Sequence, residues 1–230
     1  MIELLNVTKS FYHKPLFRDL NVQFESGNMS AMLGKNGAGK STLLRIMAGL
    51  TAFESGSINV CGTPLKSNNP LSRKAVLYLG HAPGLYPPLS AVENLRIAAM
   101  FYGENYSDSE ILETLSQVGL DRQPNDSIRI YSQGMMQRLK LALAILIPWK
   151  VLLFDEPFTG LDEEGRILTE SLLKSWQTED KTIILVVHNH EWAMKHCDHL
   201  LVLHDKGVGY DGKSSDAKSE NIAAMLQGIV

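Results

Sequence analysis

The chain has 230 residues, of which 44% are hydrophobic and 20% are charged, and its formal net charge is -3. These values are typical of a globular protein with a sizeable core, and they exclude a strongly basic nucleic-acid-binding surface. The two cysteines, Cys61 and Cys197, have no metal-ligand spacing, which favours a reducing cytoplasm. We expect no membrane-spanning helix, which needs about 20 apolar residues, and no signal peptide at residues 1–5.

The first predicted elements are short strands. Residues 2–7 form the first, and Phe11 and Tyr12 are placed in a loop. Two further strands, 20–24 and 29–33, flank the turn residues 25–28, which include a glycine and an asparagine.

Residues 34–42 match the phosphate-binding loop pattern G-x-x-x-x-G-K-[ST], also called Walker A. They are Gly34, Lys35, Asn36, Gly37, Ala38, Gly39, Lys40, Ser41 and Thr42. An apolar strand precedes the loop, and helical apolar spacing follows it up to Gly49 at a C′ position, which is the context this motif requires. In such a loop backbone N–H groups surround a β-phosphate, Lys40 reaches the β- and γ-phosphates, and Ser41 holds Mg²⁺. The chain is therefore predicted to bind a nucleoside triphosphate.

The middle of the chain changes from strands to helices. Residues 54–56 are predicted to form a turn, 57–60 and 75–79 strands, and 67–72 a loop. Two capping boxes follow, Ser90 with Glu93 and Ser107 with Glu110, and each opens a helix. A third helix begins near Ser132. We interpret residues 82–147 as a helical subdomain inserted into the core.

Residues 151–156, Val-Leu-Leu-Phe-Asp-Glu, are a second chemical motif. Four consecutive apolar residues favour a strand buried on both faces, as in a parallel sheet. The carboxylates of Asp155 and Glu156 then lie at the edge where open α/β sheets bind ligands. Asp155 is predicted to bind Mg²⁺ opposite Ser41, and Glu156 to polarise the attacking water; alone, the pair could equally be an acidic turn.

The last part of the chain is predicted as strand 183–187, a helix, another strand, and a final amphipathic helix around 222–226. Histidines, a cysteine and an aspartate between residues 188 and 199 suggest a metal site, but their spacing fits no tetrahedral pattern. We expect residues 1–230 to form one domain, with 1–80 and 148–210 as core and β region and 211–230 as the C-terminal helix.

These motifs together resemble the ATP-binding cassette (ABC) ATPases from residue 7 to about residue 203. The resemblance implies that Phe11 stacks on adenine, with Tyr12 as the alternative. Residues 131–135, Tyr-Ser-Gln-Gly-Met, lie where the family signature Leu-Ser-Gly-Gly-Gln belongs, and only Ser132 and Gly134 match it. In the family the signature serine contacts the γ-phosphate held by a partner subunit, so that two chains enclose two ATP molecules. Asp162, within Thr-Gly-Leu-Asp, is similar to the dimer-contact loop, and His188 to the switch histidine.

One position departs from the family pattern. Most members have a glutamine in the loop after the strand that ends at Leu79, where it contacts Mg²⁺ or water and meets the membrane partner. Aligning residues 85–90 with that loop puts His81 at this position; the alternative is that His81 only packs within the loop. Residues 78–84, followed by Glu93-Asn94-Leu95, are similar to the ATPase subunit of the haem exporter used in cytochrome c maturation.

The resemblance implies a P-loop NTPase (RecA-like) α/β core with an N-terminal antiparallel β region and an inserted α-helical subdomain. The implied function is Mg²⁺-dependent ATP hydrolysis that powers an ABC transporter, from the cytoplasmic face of the cell membrane. The implied partners are a second ATPase subunit, in a head-to-tail homodimer or heterodimer, and integral membrane subunits. A soluble ABC ATPase of iron–sulphur cluster assembly is the alternative. A DNA-repair ATPase fits less well, because only about 115 residues, without sustained heptads, separate Lys40 from Asp155.

Overall fold

A computed structural model describes residues 1–65, 73–81, 84–178, 180–204 and 207–228. Within them the strands are β1 (Ile2–Phe11), β2 (Lys14–Phe24), β3 (Met29–Gly34), β4 (Ser55–Val60), β5 (Thr63–Pro64), β6 (Val76–Leu79), β7 (Val151–Asp155), β8 (Thr182–Val186), β9 (His199–His204) and β10 (Gly207–Lys213). The helices are α1 (Lys40–Met47), α2 (Ala91–Tyr102), α3 (Asp108–Gln117), α4 (Gln133–Leu146), α5 (Glu163–Trp176), α6 (His190–His196) and α7 (Ser219–Gln227). The loop predicted at 67–72 lies outside the described residues.

The chain divides into two compact units. The first comprises the described residues of Met1–Tyr78, Lys150–Glu156 and Gln177–Val230. One sheet has the order β2-β1-β4-β5 and is antiparallel. The other has the order β10-β9-β3-β8-β7-β6, in which β3 pairs parallel with β8 and β9, and β7 pairs parallel with β8. Since β10 is antiparallel to β9, this second sheet is mixed.

The core of the first unit follows from the sequence patterns of its strands. In β2 the apolar side chains of Leu20, Val22 and Phe24 are buried, and they alternate with exposed polar residues. Strands β7 and β8 are buried at every position, as continuous apolar runs predict. Helix α1 adds Leu43, Leu44, Ile46 and Met47 to this core. Gly49 lies at the predicted C′ position, where its N–H donates to the Ile46 carbonyl.

The second unit comprises the described residues of Leu79–Trp149 and Pro157–Trp176 and is mainly helical. Both predicted capping boxes are present: Glu93 N donates to Ser90 Oγ at 3.2 Å, and the Glu93 carboxylate accepts from Ser90 N at 2.8 Å. Ser107 and Glu110 repeat this arrangement at α3. Helix α4 begins directly after Ser132, as predicted. The buried residues of these helices include Leu95, Ile111, Leu115, Leu139 and Leu143.

The structure contradicts the sequence-based elements in three places. Phe11 is not in a loop: β1 continues to it and forms a hairpin with β2, which begins at Lys14. Asn6 and Asp19 have φ of 52° and 47°, and the register of the β1–β2 pair shifts along this part of the hairpin. These irregularities interrupt the alternation of buried and exposed side chains from which strands are predicted, so the sequence pattern ends before the strand does. Residues 55–56 are not a turn, because Ser55 already pairs with Thr8. Strand β10 was missed, since its glycine-rich, polar sequence has little strand propensity.

Candidate nucleotide-binding site

Three neighbouring parallel strands of the mixed sheet, β3, β8 and β7, carry predicted site residues at their carboxyl ends. The phosphate loop begins at the end of β3. Asp155 is the last residue of β7 and Glu156 is the next residue in the chain. His188 lies two residues after the end of β8. Because carboxyl ends of parallel strands meet at one edge of a sheet, these residues converge where α/β proteins bind ligands.

The phosphate loop turns sharply into α1. Gly39 is the N-cap residue of α1 and has a left-handed conformation with φ of 99°. As at the start of any helix, the N–H groups of the first turn, beginning with that of Lys40, have no acceptor within the helix. A Cβ atom at position 39 would lie 2.5 Å from the ring of Phe17, which makes glycine obligatory there. Free N–H groups and the helix dipole together favour a bound phosphate.

The Lys40 side chain is held inside the loop. It is 7% exposed, and its Nζ donates to the carbonyl oxygens of Gly34 at 2.6 Å and Lys35 at 3.0 Å. Burial lowers the pKa of Lys40, while the negative charges of Asp155 and Glu156 act in the opposite direction. The lysine and both carboxylates therefore belong to one electrostatic cluster within the first unit.

The carboxylates at the end of β7 differ in environment. Asp155 is 3% exposed, and its Oδ1 has no hydrogen-bond partner among the described residues. Glu156 adopts φ of 53°, and its Oε1 lies 2.9 Å from Nε2 of His188. An ionised carboxylate only accepts hydrogen bonds, so this contact requires a proton on Nε2. Oδ1 of the buried Asp155 thus has no hydrogen-bond donor among the described residues, whereas the Glu156 side chain is oriented by His188.

The remaining predicted residues of the first unit are more accessible. Ser41 is exposed in the first turn of α1, and Thr42 is half-buried. Phe11 is 45% exposed at the end of β1, and Tyr12, at the tip of the hairpin, is 96% exposed. Since Phe17 of β2 contacts the Gly39 position and Lys14 pairs with Phe11, the aromatic lies roughly 10 Å along the hairpin from the phosphate loop.

Ser132, Gly134 and Asp162 lie together in the second unit. Ser132 caps α4, and its Oγ accepts from Met135 N at 3.2 Å, which leaves the hydroxyl proton able to donate elsewhere. A Cβ atom at position 134 would lie 2.8 Å from the Gly160 carbonyl oxygen, so the first turn of α4 packs closely on the loop before Asp162. The signature segment and the predicted dimer-contact loop therefore form one structural group.

Two residues that the sequence reasoning left without a role fix this group. Gln137 Nε2 donates to the Pro157 carbonyl at 2.7 Å, and Arg138 Nη2 donates to Asp162 Oδ1 at 3.2 Å. The same Asp162 oxygen accepts from Gly165 N at 2.8 Å. Asp162 therefore also caps the N-terminus of α5, which begins at Glu163. The Gly165 hydrogen bond, followed by the charge of Arg138, lowers the pKa of Asp162.

His81 is exposed at a bend two residues after β6, in the second unit. Residues 82 and 83 of the stretch similar to the haem exporter subunit lie outside the described part of the chain. Within the described ranges no cluster of three or more histidine, cysteine, aspartate or glutamate side chains could hold a metal ion. No described helix has both the length and the apolar character needed to cross a membrane.

A glycine loop between a central parallel strand and a helix, with a carboxylate pair on a nearby strand, defines a P-loop nucleotide-binding protein. The family model described as ABC transporter matches residues 17–159. The chain belongs to the ABC transporter family, as an ATP-binding subunit with ATPase activity.

Named relatives agree with this assignment. Nod factor export ATP-binding protein I of Cupriavidus pinatubonensis is 34% identical over 218 residues, which cover 94% of this chain and 67% of the relative. Lantibiotic transport ATP-binding protein SrtF of Streptococcus pyogenes is 32% identical, over 82% of this chain and 80% of the relative.

Solved structures agree as well. The structure of an ATP binding subunit of an ABC transporter is 27% identical with a TM-score of 0.89, and 99% of each chain is covered. A dimeric, post-hydrolysis structure of the ATP-binding cassette MJ0796 bound to ADP and Pi is 25% identical with a TM-score of 0.83, covering 93% of this chain and 99% of that one. These similarities confirm the predicted α/β P-loop fold.

Proposed function

We propose that this chain hydrolyses ATP to power an ABC exporter. The observation that carries the proposal is the placement of Lys40, Asp155, Glu156 and His188 at the ends of three neighbouring strands of one sheet. The relative named for Nod factor export supports outward transport of the cargo.

In this proposal Lys40 binds the β- and γ-phosphates, exchanging its hydrogen bonds to the loop carbonyls for contacts to phosphate oxygens. The backbone N–H groups of the loop surround the β-phosphate. Phe11 stacks on adenine, and Tyr12 is the alternative. The other loop residues that contribute are Gly34, Asn36, Gly37, Ala38, Gly39 and Thr42.

Ser41 and Asp155 are the residues that would hold Mg²⁺. Hydroxyl and carboxylate oxygens are ligands that Mg²⁺ accepts, and the buried Asp155 Oδ1 without a donor fits a cation. When bound, the ion neutralises charge on the phosphate oxygens.

Glu156 is proposed as the general base that polarises the water attacking the γ-phosphate. His188 Nε2, 2.9 Å from Glu156 Oε1, orients this carboxylate. The His188 side chain would also be within reach of a γ-phosphate oxygen placed near Glu156. In this proposal Glu156 takes up the proton of the water, while His188 positions the carboxylate and contacts the γ-phosphate.

We further propose that two chains assemble head to tail, so that Ser132 and Gly134 of one chain complete the ATP site of the other. Asp162 would then contact the partner, and His81 would act in the sensor loop. The dimeric MJ0796 structure supports this assembly. Residues 1–230 would act as one cassette, with 82–147 as the helical subdomain and 211–230 as the C-terminal segment, bound to membrane subunits at the cytoplasmic face.

The cargo is proposed only as a class of exported molecule. The proposal that the cargo is haem, for cytochrome c maturation, rests on the sequence of residues 78–84, while the relatives above are named for Nod factor and lantibiotic cargoes.

Affinity purification of the chain from detergent-solubilised membranes tests the transporter proposal. Integral membrane proteins should co-purify. Soluble scaffold proteins in their place would favour iron–sulphur cluster assembly.

The experiment that tests the site is Glu156→Gln. The variant keeps the shape of the side chain and removes the basic carboxylate, so Mg-ATP should bind without turnover and dimers should accumulate. Light scattering with and without Mg-ATP measures the dimer, and phosphate release measures turnover. A variant that stays monomeric and retains normal ATPase activity would contradict both the base and the assembly.

A further inference from the structure

We propose that Glu54 is a positioning residue for the base of the nucleotide, because its side chain fixes the end of β1 that presents Phe11. The inference rests on the proposed stacking of adenine on Phe11. It adds a residue, outside the sequence motifs, on which recognition of the base depends.

The contacts of Glu54 all go to the last residues of β1. Its carboxylate accepts from Ser10 N at 2.7 Å through Oε1 and from Ser10 Oγ at 3.1 Å through Oε2. Its backbone N donates to the Thr8 carbonyl at 2.9 Å. Glu54 therefore holds β1 at Thr8 and Ser10, which are three residues and one residue before Phe11.

Among the described strands, this part of β1 is paired with β2 alone. Its pairing with β4 ends where Thr8 meets Ser55. On the other side Ser10 pairs with Pro15, which has no N–H to donate, and the register shifts between Lys9 and Ser10. The two oxygens of Glu54 supply acceptors where the neighbouring strand has ended. A charge-assisted hydrogen bond of this kind is stronger than the neutral bond it replaces.

The position of the Phe11 ring depends on this backbone. The ring is 45% exposed, so packing alone does not fix it. The Lys9 ammonium lies over one face of the ring, 4.6 Å from its centroid. A base can therefore stack only on the opposite face, and displacing the end of β1 moves both the ring and the lysine that covers it.

The test separates recognition of the base from recognition of the phosphates. Dissociation constants for ATP and for inorganic tripolyphosphate are measured by calorimetry on the full chain. Glu54→Ala should weaken ATP binding about 5- to 10-fold, because the Phe11 ring is no longer held in place to stack on the base. Tripolyphosphate has no base, so its binding should change by less than about twofold. Glu54→Gln, which keeps one acceptor oxygen, should recover part of the loss.

Glu3→Ala is the matched control. Glu3 also lies on β1, and its carboxylate accepts from Asn59 Nδ2 of β4 at 3.3 Å, far from the hairpin end. This variant should keep the ATP preference of the unmodified chain. Equal weakening of ATP and tripolyphosphate by Glu54→Ala would overturn the inference, because it would indicate a general effect on the fold.

Phe11→Ala shows whether a failed test concerns the role of Glu54 or the proposed stacking of adenine on Phe11. Stacking of one base on an aromatic ring strengthens binding about 5- to 150-fold, so this variant should lose at least as much ATP preference as Glu54→Ala. If Phe11→Ala loses the preference and Glu54→Ala retains it, only the role of Glu54 is overturned. If Phe11→Ala retains it, the proposed base site itself is wrong.

Discussion

At the scale of single residues, the buried Lys40 ammonium gives a direct prediction. Lys40→Ala removes the charge placed beside the phosphates, and the loss of one such contact commonly costs on the order of 10²–10³ in rate. Phosphate release and nucleotide binding by the purified variant measure the effect. Arg45→Ala is the control, since Arg45 is an exposed cation on the same helix. Unchanged hydrolysis in Lys40→Ala would refute the phosphate-loop assignment.

Residues whose place is fixed by local sequence were predictable, and residues placed by distant contacts were not. The phosphate loop and the Ser132 cap are set within a few residues of chain, so the motif predicts their geometry. Arg138 reaches Asp162 across 24 positions, and Glu54 reaches Ser10 across 44. Neither contact has a sequence signal, because any nearby acceptor or donor satisfies a charged side chain equally well.

At the scale of helices, the capping box of α2 predicts a pH-dependent stability. Hydrogen bonds from the Ser90 backbone and hydroxyl lower the pKa of Glu93 below its ordinary value of 4.5. A carboxyl group with a lowered pKa stabilises the folded state above its unfolded pKa, and this stabilisation disappears as the pH falls through the folded pKa. Ser90→Ala should therefore destabilise the chain near neutral pH, by about 1 kcal/mol for an N-cap, and less in acid.

Urea unfolding of the unmodified chain and of Ser90→Ala, at about pH 7 and about pH 3.5, measures this difference. Ser116→Ala, an exposed serine within α3, is the control and should show no such pH dependence. The variant removes the bond from the Ser90 hydroxyl to the Glu93 carboxylate and keeps the bond from the backbone N–H of residue 90. A stability difference that is the same at both pH values would therefore mean that the bond from the hydroxyl to the carboxylate contributes no stability.

The elements themselves were predicted unevenly for a physical reason. Helices α2, α3 and α4 were located because each begins with a serine cap that is visible in the sequence. The sequence did not predict the end of β1, because bulges interrupt the alternation of buried and exposed residues there. It did not predict β10 either, because this strand pairs with β9 through its backbone although its sequence has low strand propensity. Strand pairing is decided by neighbours in space, which one sequence does not show.

At the scale of the whole molecule, the position of β3 has a consequence for biosynthesis. The strand that leads into the phosphate loop lies between β8 and β9, which begin at Thr182 and His199. During translation the motif leaves the ribosome well before either neighbouring strand has been made, and non-local pairings form slowly. We expect a nascent chain stopped at residue 176 to carry the complete motif and still not be retained on immobilised ATP. Retention should appear only once the ribosome has passed residue 204. If the shorter chain were retained, the loop would bind ATP without the neighbouring strands β8 and β9.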